Sequence, residues 1–185
     1  MAEYYFLSQL PSLDGIGDNM PVPITEERFL ELCHRYLGKK AQCELEKLTL
    51  VPPGGIESTG SALIDAWNMG ERDLRLALAR VRADKMKKAF DAENKSLPAE
   101  LMKTAQMAVD MESPLEAEKF LSEHRMKFLE TLRPLDAFSE DAVFYYGLKL
   151  KLLLRLRQFD KKLGEAVYQD IYTSIVNGDR TEVVQ

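Results

Sequence analysis

Between Ser139 and Gly164 the chain reads SEDAVFYYGLKLKLLLRLRQFDKKLG, a stretch whose pattern admits little besides a helix covered by other helices. Ser139 is placed as an N-cap, and Glu140 and Asp141 put negative charge on the first turn, where the macrodipole favours it. At the far end Lys161 and Lys162 suit the last carbonyls, and Gly164 tolerates left-handed geometry. Val143, Phe144, Tyr146 and the leucines from Leu148 to Leu156 spread apolar surface over nearly every side, which implies burial by helices or by a partner protein. Lys151, Arg155, Gln158 and Lys162, spaced 4, 3 and 4, make the one continuous polar stripe. A membrane span needs roughly 20 apolar residues, and Lys149, Lys151 and Arg155 break the run. The stretch is therefore predicted as the central helix of a water-soluble helical protein.

The rest of the chain supplies the helices to cover it. Residues 2–10 fit either a short strand or the start of a helix, and Pro11 to Pro23 read as a loop. Thr25 caps a helix with Phe29, Leu32, Cys33, Tyr36 and Leu37 on one face, ended by Gly38; a short helix follows at about Ala41–Leu48. From Ser58 or Thr59 a long helical pattern runs to about Glu93. Leu63, Trp67, Gly70, Leu74, Ala77 and Val81 form its seam at spacings of 4, 3, 4, 3 and 4. Beyond Val81 the seam meets Asp84 and Lys88, so the buried face is expected to pass to Leu76, Ala83, Met86 and Phe90, through a bend, a break near Gly70, or different neighbours along the length. Glu71–Arg75 and Asp84–Lys88 are spaced for surface pairs.

Ser96 with Pro98 opens the next helix, which carries Leu101, Met102, Ala105, Ala108 and Val109. Ser113-Pro114-Leu115-Glu116 is a capping box with proline at the first helical position. It predicts a helix burying Leu115, Phe120 or Leu121, Phe128 and Leu132, up to Arg133-Pro134. Tyr168, Ile171, Tyr172 and Ile175 make a last amphipathic helix closed by Asn177-Gly178, with a polar tail behind it. With almost no strand signal, the expected fold is all-α: an antiparallel bundle of about six to seven helices, two of them long. Residues 1–185 read as one domain, with 1–55 a candidate N-terminal subunit ahead of the long helix at about 58–93. The stretches LRLALARVR (74–82) and KLKLLLRLR (149–157) are faintly alike, as an internal repeat or as two leucine-rich helices would be.

Composition matters chiefly through charge. The net charge of −5 argues against a general nucleic-acid binder, yet the charge is uneven. Residues 70–95 hold eight Lys/Arg against five Asp/Glu and 142–164 hold six against one, whereas 96–141 hold five against ten. Two readings follow: neighbouring helices of complementary charge, or a basic face kept for an acidic partner. Two cysteines and no secretory signal predict reduced thiols in the cytosol.

No motif carries chemistry. Glu31-Leu-Cys-His34 has the Glu-x-x-His spacing, but a di-iron bundle needs a second such motif, and His124 has no Glu at position 121. Cys33, Cys43 and the two histidines lack zinc spacing. There is no Gly-x-Ser-x-Gly elbow, and the glycines at 15, 17, 54 and 55 lack a phosphate-loop context. The basic run Arg80, Arg82, Lys85, Lys87, Lys88 is interrupted by Asp84 and has no interleaved aromatics for base stacking. The expectation is a protein with no enzymatic activity, no cofactor and no metal.

Four segments, EYYFLSQLPSL, WNMGERDLRLALARVRADKM, EAEKFLSEHRMKFLETLRPLDAFSEDAV and YYGLKLKLLLRLRQFDKKLGEAV, together resemble a bacterial family of unknown function whose genes lie within V-type ATPase operons. The resemblance keeps its order from Tyr4 to about Val176. The ERDLRLALAR stretch at 71–80 is also similar to helices of the V-type ATPase C/d subunit family, all-helical funnels joining rotary stalk to membrane ring. It implies a non-catalytic accessory or stalk subunit of an ion-translocating V-type ATPase, partnered by stalk or catalytic-head subunits. No nucleic acid and no direct membrane insertion are expected; the place is the cytoplasm, peripheral on the inner membrane through the complex. Trp67, Arg72, Arg75, Arg80 and Arg82 on the long helix, with Lys151, Arg155 and Lys162 on the central one, are the candidate interface. The rival reading is a free-standing cytosolic helical adaptor or regulator unrelated to ion transport. The sequence leaves the oligomeric state open.

Overall fold

A computed structural model describes residues 2–16, 20–55, 58–90, 95–158, 168–169 and 171–173. Seven helices occupy the described residues: α1 Ala2–Gln9, α2 Glu26–Tyr36, α3 Lys39–Glu46, α4 Ala62–Lys85, α5 Ala99–Asp110, α6 Pro114–Thr131 and α7 Glu140–Arg157. Residues 168–169 and 171–173 are helical as well, and no strand occurs among the described residues. The fold is all-α. Residues 2–9, ambiguous in the sequence, are helical. Ile175, Asn177 and Gly178 of the last predicted helix, Gly17 and Asn19 of the first loop, and Lys161, Lys162 and Gly164 lie outside the described residues.

Four helices start on a hydroxyl that accepts an otherwise unpaired backbone N–H. Thr25 takes Arg28 N–H at 3.2 Å and Ser61 takes Ile64 N–H at 3.2 Å; Ser113 takes Glu116 N–H at 3.3 Å and Ser139 takes Ala142 N–H at 3.2 Å. Ser58 and Thr59, read as the start of the long helix, do something else. Both donate hydroxyl hydrogen bonds to the Asp65 carboxylate, at 2.6 and 2.8 Å, which folds the approach segment against the first turn of α4. The cap is Ser61, whose own hydroxyl donates to Asp141 Oδ1 at 2.6 Å and so ties the start of α4 to the start of α7. Likewise α5 begins after Pro98 rather than at Ser96.

No break occurs at Gly70; α4 is continuous. Its far end comes earlier than the pattern suggests, at Lys85 instead of about Glu93, and Met86 and Phe90 are exposed rather than buried. Lys88 N–H bonds to Ala83 O at 3.0 Å and Lys87 N–H to Asp84 O at 3.0 Å, with Lys87 in the left-handed region at φ 53. Those paired bonds across a left-handed residue form a Schellman motif, a stop that normally uses glycine and therefore carries no glycine signal here.

Two cores flank the middle of α4. The larger joins α1, α2, α3, the first half of α4, the end of α6 and all of α7; the smaller joins the second half of α4, α5 and the first half of α6. As expected, α7 is covered, packing on α2, α4 and α6 with Val143, Phe144, Leu148, Leu150 and Leu152 buried. Close approach is required at Gly147, where a Cβ would stand 2.8 Å from Leu48 Cδ2 and 3.2 Å from Phe29 Cε1. Tyr146 O–H donates to Pro11 O at 2.9 Å, pinning the N-terminal loop to the same helix. No helix among the described residues is long and apolar enough to cross a membrane.

Left-handed geometry costs a residue with a Cβ about 1–2 kcal/mol. Lys87→Gly is therefore expected to stabilise the fold by about 1 kcal/mol, raising the thermal midpoint by about 2–4 °C, and Lys87→Val to lower it. Calorimetry of the two variants checks this; a midpoint unchanged or lowered in Lys87→Gly would show that the turn is not strained.

Candidate functional site

Where the two cores meet, α4, α5 and α6 leave an apolar groove of about 470 Å³. Ala66, Met69, Gly70 and Leu74 of α4 form one wall, Pro98 and Leu101 another, and His124, Phe128 and Leu132 the third. Gly70 is what lets the walls approach: a Cβ there would lie 2.3 Å from Phe128 Cε1. Phe128 in turn stacks toward Trp67, with ring centroids 6.2 Å apart. Burial, with Arg125 beside it, holds the His124 imidazole pKa below its ordinary value, which favours the neutral ring.

The floor of the groove is ionic. Arg125 Nε lies 2.9 Å from Glu71 Oε2 and its Nη2 lies 3.0 Å from Glu71 Oε1, with side-chain exposures of 8% and 2%. Arg75 Nε adds a 3.0 Å contact to the same carboxylate. Arg125 Nη1 then reaches Glu118 at 3.5 Å, and Arg155 Nη2 of α7 holds that Glu118 at 2.6 Å. Arg75, Glu71, Arg125, Glu118 and Arg155 thus form one chain of alternating charge across α4, α6 and α7. Two-point guanidinium–carboxylate pairing fixes geometry as well as charge, and buried charges persist only when so matched.

A second buried cation works the same way on the other side of α7. Lys149 Nζ sits 2.6 Å from Asp14 Oδ1 and 2.6 Å from Glu130 Oε1, and 5.7 Å from the centre of the Tyr145 ring. Burial opposes the Lys149 charge, but hydrogen bonds from Asp14 and Glu130 outweigh it and push the ammonium up to about 12. The same hydrogen bonds hold both carboxyls below their ordinary values.

These contacts relocate the residues the sequence offered as an interface. Trp67 is 1% exposed and donates Nε1–H to Thr49 O at 3.2 Å, so it is a core residue and not a surface contact. Arg72 donates to the carbonyls of Pro53 and Gly55, holding the loop before α4. Arg75 and Arg155 belong to the ionic chain, and Lys151 pairs with Glu26 of α2. Arg80 is half-buried and Arg82 is exposed; Lys162 lies outside the described residues. Glu71–Arg75, expected as a surface pair, forms on a buried carboxylate, and Lys88 falls past the end of the helix, outside helical spacing to Asp84. On α6, Leu121 and Leu129 take the buried positions, with Phe128 and Leu132 at the groove wall. Among the described residues no three His, Cys, Asp or Glu side chains converge to hold a metal ion.

From the sequence Glu71 reads as a surface residue, Lys149 only as a break in an apolar run, and Arg125 as nothing in particular. A signal was there: Glu71 falls on the stripe of Trp67, Leu74 and Leu78, and Arg125 lies between Leu121 and Leu129 at steps of four. An acid and a base each interrupting an apolar stripe are candidates for one another.

Removing one partner of a buried pair costs about 3–5 kcal/mol because the other charge is stranded. Glu71→Leu and Arg125→Met alone should each lower the unfolding free energy read from urea melts by that order, while the double variant recovers most of the loss. Additive losses would mean the two are not energetically coupled. The Lys149 cluster makes a pH prediction. Carboxyls with depressed pKa stabilise the fold above their unfolded values of about 4 and lose that contribution as pH falls through the folded ones. The raised lysine contributes fully below its unfolded pKa of about 10.4 and loses it as pH rises toward 12. Glu130→Gln should thus be less stable than the wild type at pH 7, with the difference narrowing as pH falls below about 4; urea melts at pH 7 and through the acid range read it out.

Comparison with curated proteins and with solved structures returns no match to the chain. One family model does match, over residues 85–179, just over half of the 185 residues, from the end of α4 through α5, α6 and α7. The chain belongs to that family, described as protein of unknown function, DUF2764.

Proposed function

We propose that the chain is a non-catalytic accessory or stalk subunit of a V-type, ion-translocating ATPase, acting through helix-mediated contacts with stalk or catalytic-head subunits. The observation that carries the role is the ionic chain across α4, α6 and α7. It fixes three helices in one register, which suits a part that holds others at a set distance. The identity of the complex rests on the four sequence segments resembling the operon-associated family; two of them, 116–143 and 145–167, lie inside the matched stretch 85–179. Of the basic candidates, Arg82 is the exposed cation outside the ionic chain and so the cleanest contact to test.

The test is a mild-detergent pull-down of the tagged full chain from its native cells, followed by mass spectrometry. V-type ATPase A and B subunits with stalk proteins, in near-stoichiometric amounts, are expected. Arg82→Glu should reduce their recovery, most strongly at low salt, with the circular dichroism of the purified variant unchanged. Recovery without any ATPase subunit overturns the proposal and leaves the free-standing adaptor.

A further inference from the structure

Two exposed apolar clusters of opposite charge sit at opposite ends of the molecule. At one end Tyr4 and Tyr5 of α1 and Leu135 and Phe138 of the α6–α7 turn face solvent, Leu135 completely. Tyr4 packs on Phe138 with ring centroids 4.2 Å apart, which joins α1 to the turn in one patch, while Tyr5 lies edge-on to Tyr36 of α2 at 6.1 Å. Exposed Asp136 and Glu140 outnumber the one exposed cation nearby in sequence, Arg133, and Asp136 Oδ1 accepts Phe138 N–H at 2.9 Å, which fixes the turn. At the other end, past the last turn of α4, Met86 and Phe90 are exposed among Arg82, Lys87 and Lys88. Asp84 is the one carboxylate of residues 82–90, and Asp110 of α5 pairs with Lys85 at 3.4 Å, which leaves Arg82, Lys87 and Lys88 as the excess charge.

The distance between the clusters follows from the fold. The Ser61–Asp141 hydrogen bond of 2.6 Å places the α6–α7 turn at the start of α4, whose 24 residues carry the chain to the basic end. At about 1.5 Å per residue that is about 36 Å. The two clusters of one chain therefore do not meet.

A tyrosine, a phenylalanine and a leucine left together at the surface are the composition of a contact centre, and a mainly acidic border selects a cationic partner. The chain carries such a partner on its own far end. We infer that the occupant of the Tyr4–Leu135–Phe138 patch is the Arg82–Phe90 end of a second copy, giving a head-to-tail contact. The two surfaces differ, so the contact either closes as an antiparallel two-fold pair, each patch meeting the other copy's basic end, or propagates to a ring or an open chain. This association stands whether or not the chain joins an ATPase.

Sedimentation velocity of the purified full chain over a concentration series tests it. The expected result is a mass that rises above the monomer with concentration and falls as salt shortens the screening length from about 10 Å at 0.1 M to about 3 Å at 1 M. Lys87→Glu/Lys88→Glu, and separately Leu135→Ser/Phe138→Ser, should weaken association on the order of tenfold. The discriminating sample is a mixture. Lys87→Glu/Lys88→Glu and Glu140→Lys each disfavour self-contact, but in a 1:1 mixture the acidic tail of one meets the basic head of the other and association returns. Glu140→Lys is used because it spares the Asp136 turn. A monomer at every concentration, a dimer that all variants retain, or a mixture no more associated than its components overturns the inference.

Discussion

An arginine enclosed between two apolar cores has to be met by a carboxylate, and much of this structure is arranged around that requirement. Leu121, one turn before Arg125, belongs to the smaller core, and Leu129, one turn after it, belongs to the larger. On α4, Trp67 and Leu74 bracket Glu71 in the same way. The ion pair therefore marks the boundary between the cores and sets α4 against α6. Sliding either helix by one turn, about 5.4 Å, would keep apolar residues against apolar residues but strand both charges. Apolar packing alone tolerates many registers; a two-point ion pair tolerates one.

The groove is a consequence of the same junction. Gly70 precedes the buried glutamate and has no side chain, so the Phe128 ring can lie over it, while Met69 and Leu101 border an opening that neither core fills. The alternation of basic and acidic helices is largely resolved within the fold. Arg125, Arg155, Lys149, Lys151 and Lys85 all face carboxylates of other elements.

Much of the helical layout was legible from local chemistry. The caps at Thr25, Ser113 and Ser139 and the apolar sides of α7 need no knowledge of neighbours, since a hydroxyl before a helical run and a leucine-rich run act on their own few residues. The errors fell where two local options compete. Ser58, Thr59 and Ser61 are all acceptable caps, and the choice was made by Asp65 and Asp141, one of them 80 residues away from Ser61. The end of α4 was overrun because a lysine occupies the left-handed position where a glycine would have announced the stop.

The sequence by itself determined the class of fold, the existence of its long helices and the apolar character of α7, because these follow from the spacing of residues along a single helix. Tertiary structure alone decided which charges are used up inside. Arg75 and Arg82 share a helix and a chemistry, yet one leans on a buried carboxylate and the other on water. The pairing of Arg125 with Glu71, 54 residues apart, depends on which helix faces come together. Charge is read along the chain but neutralised across space, and that is why a basic stripe in the sequence became, for the most part, the internal lock of the fold.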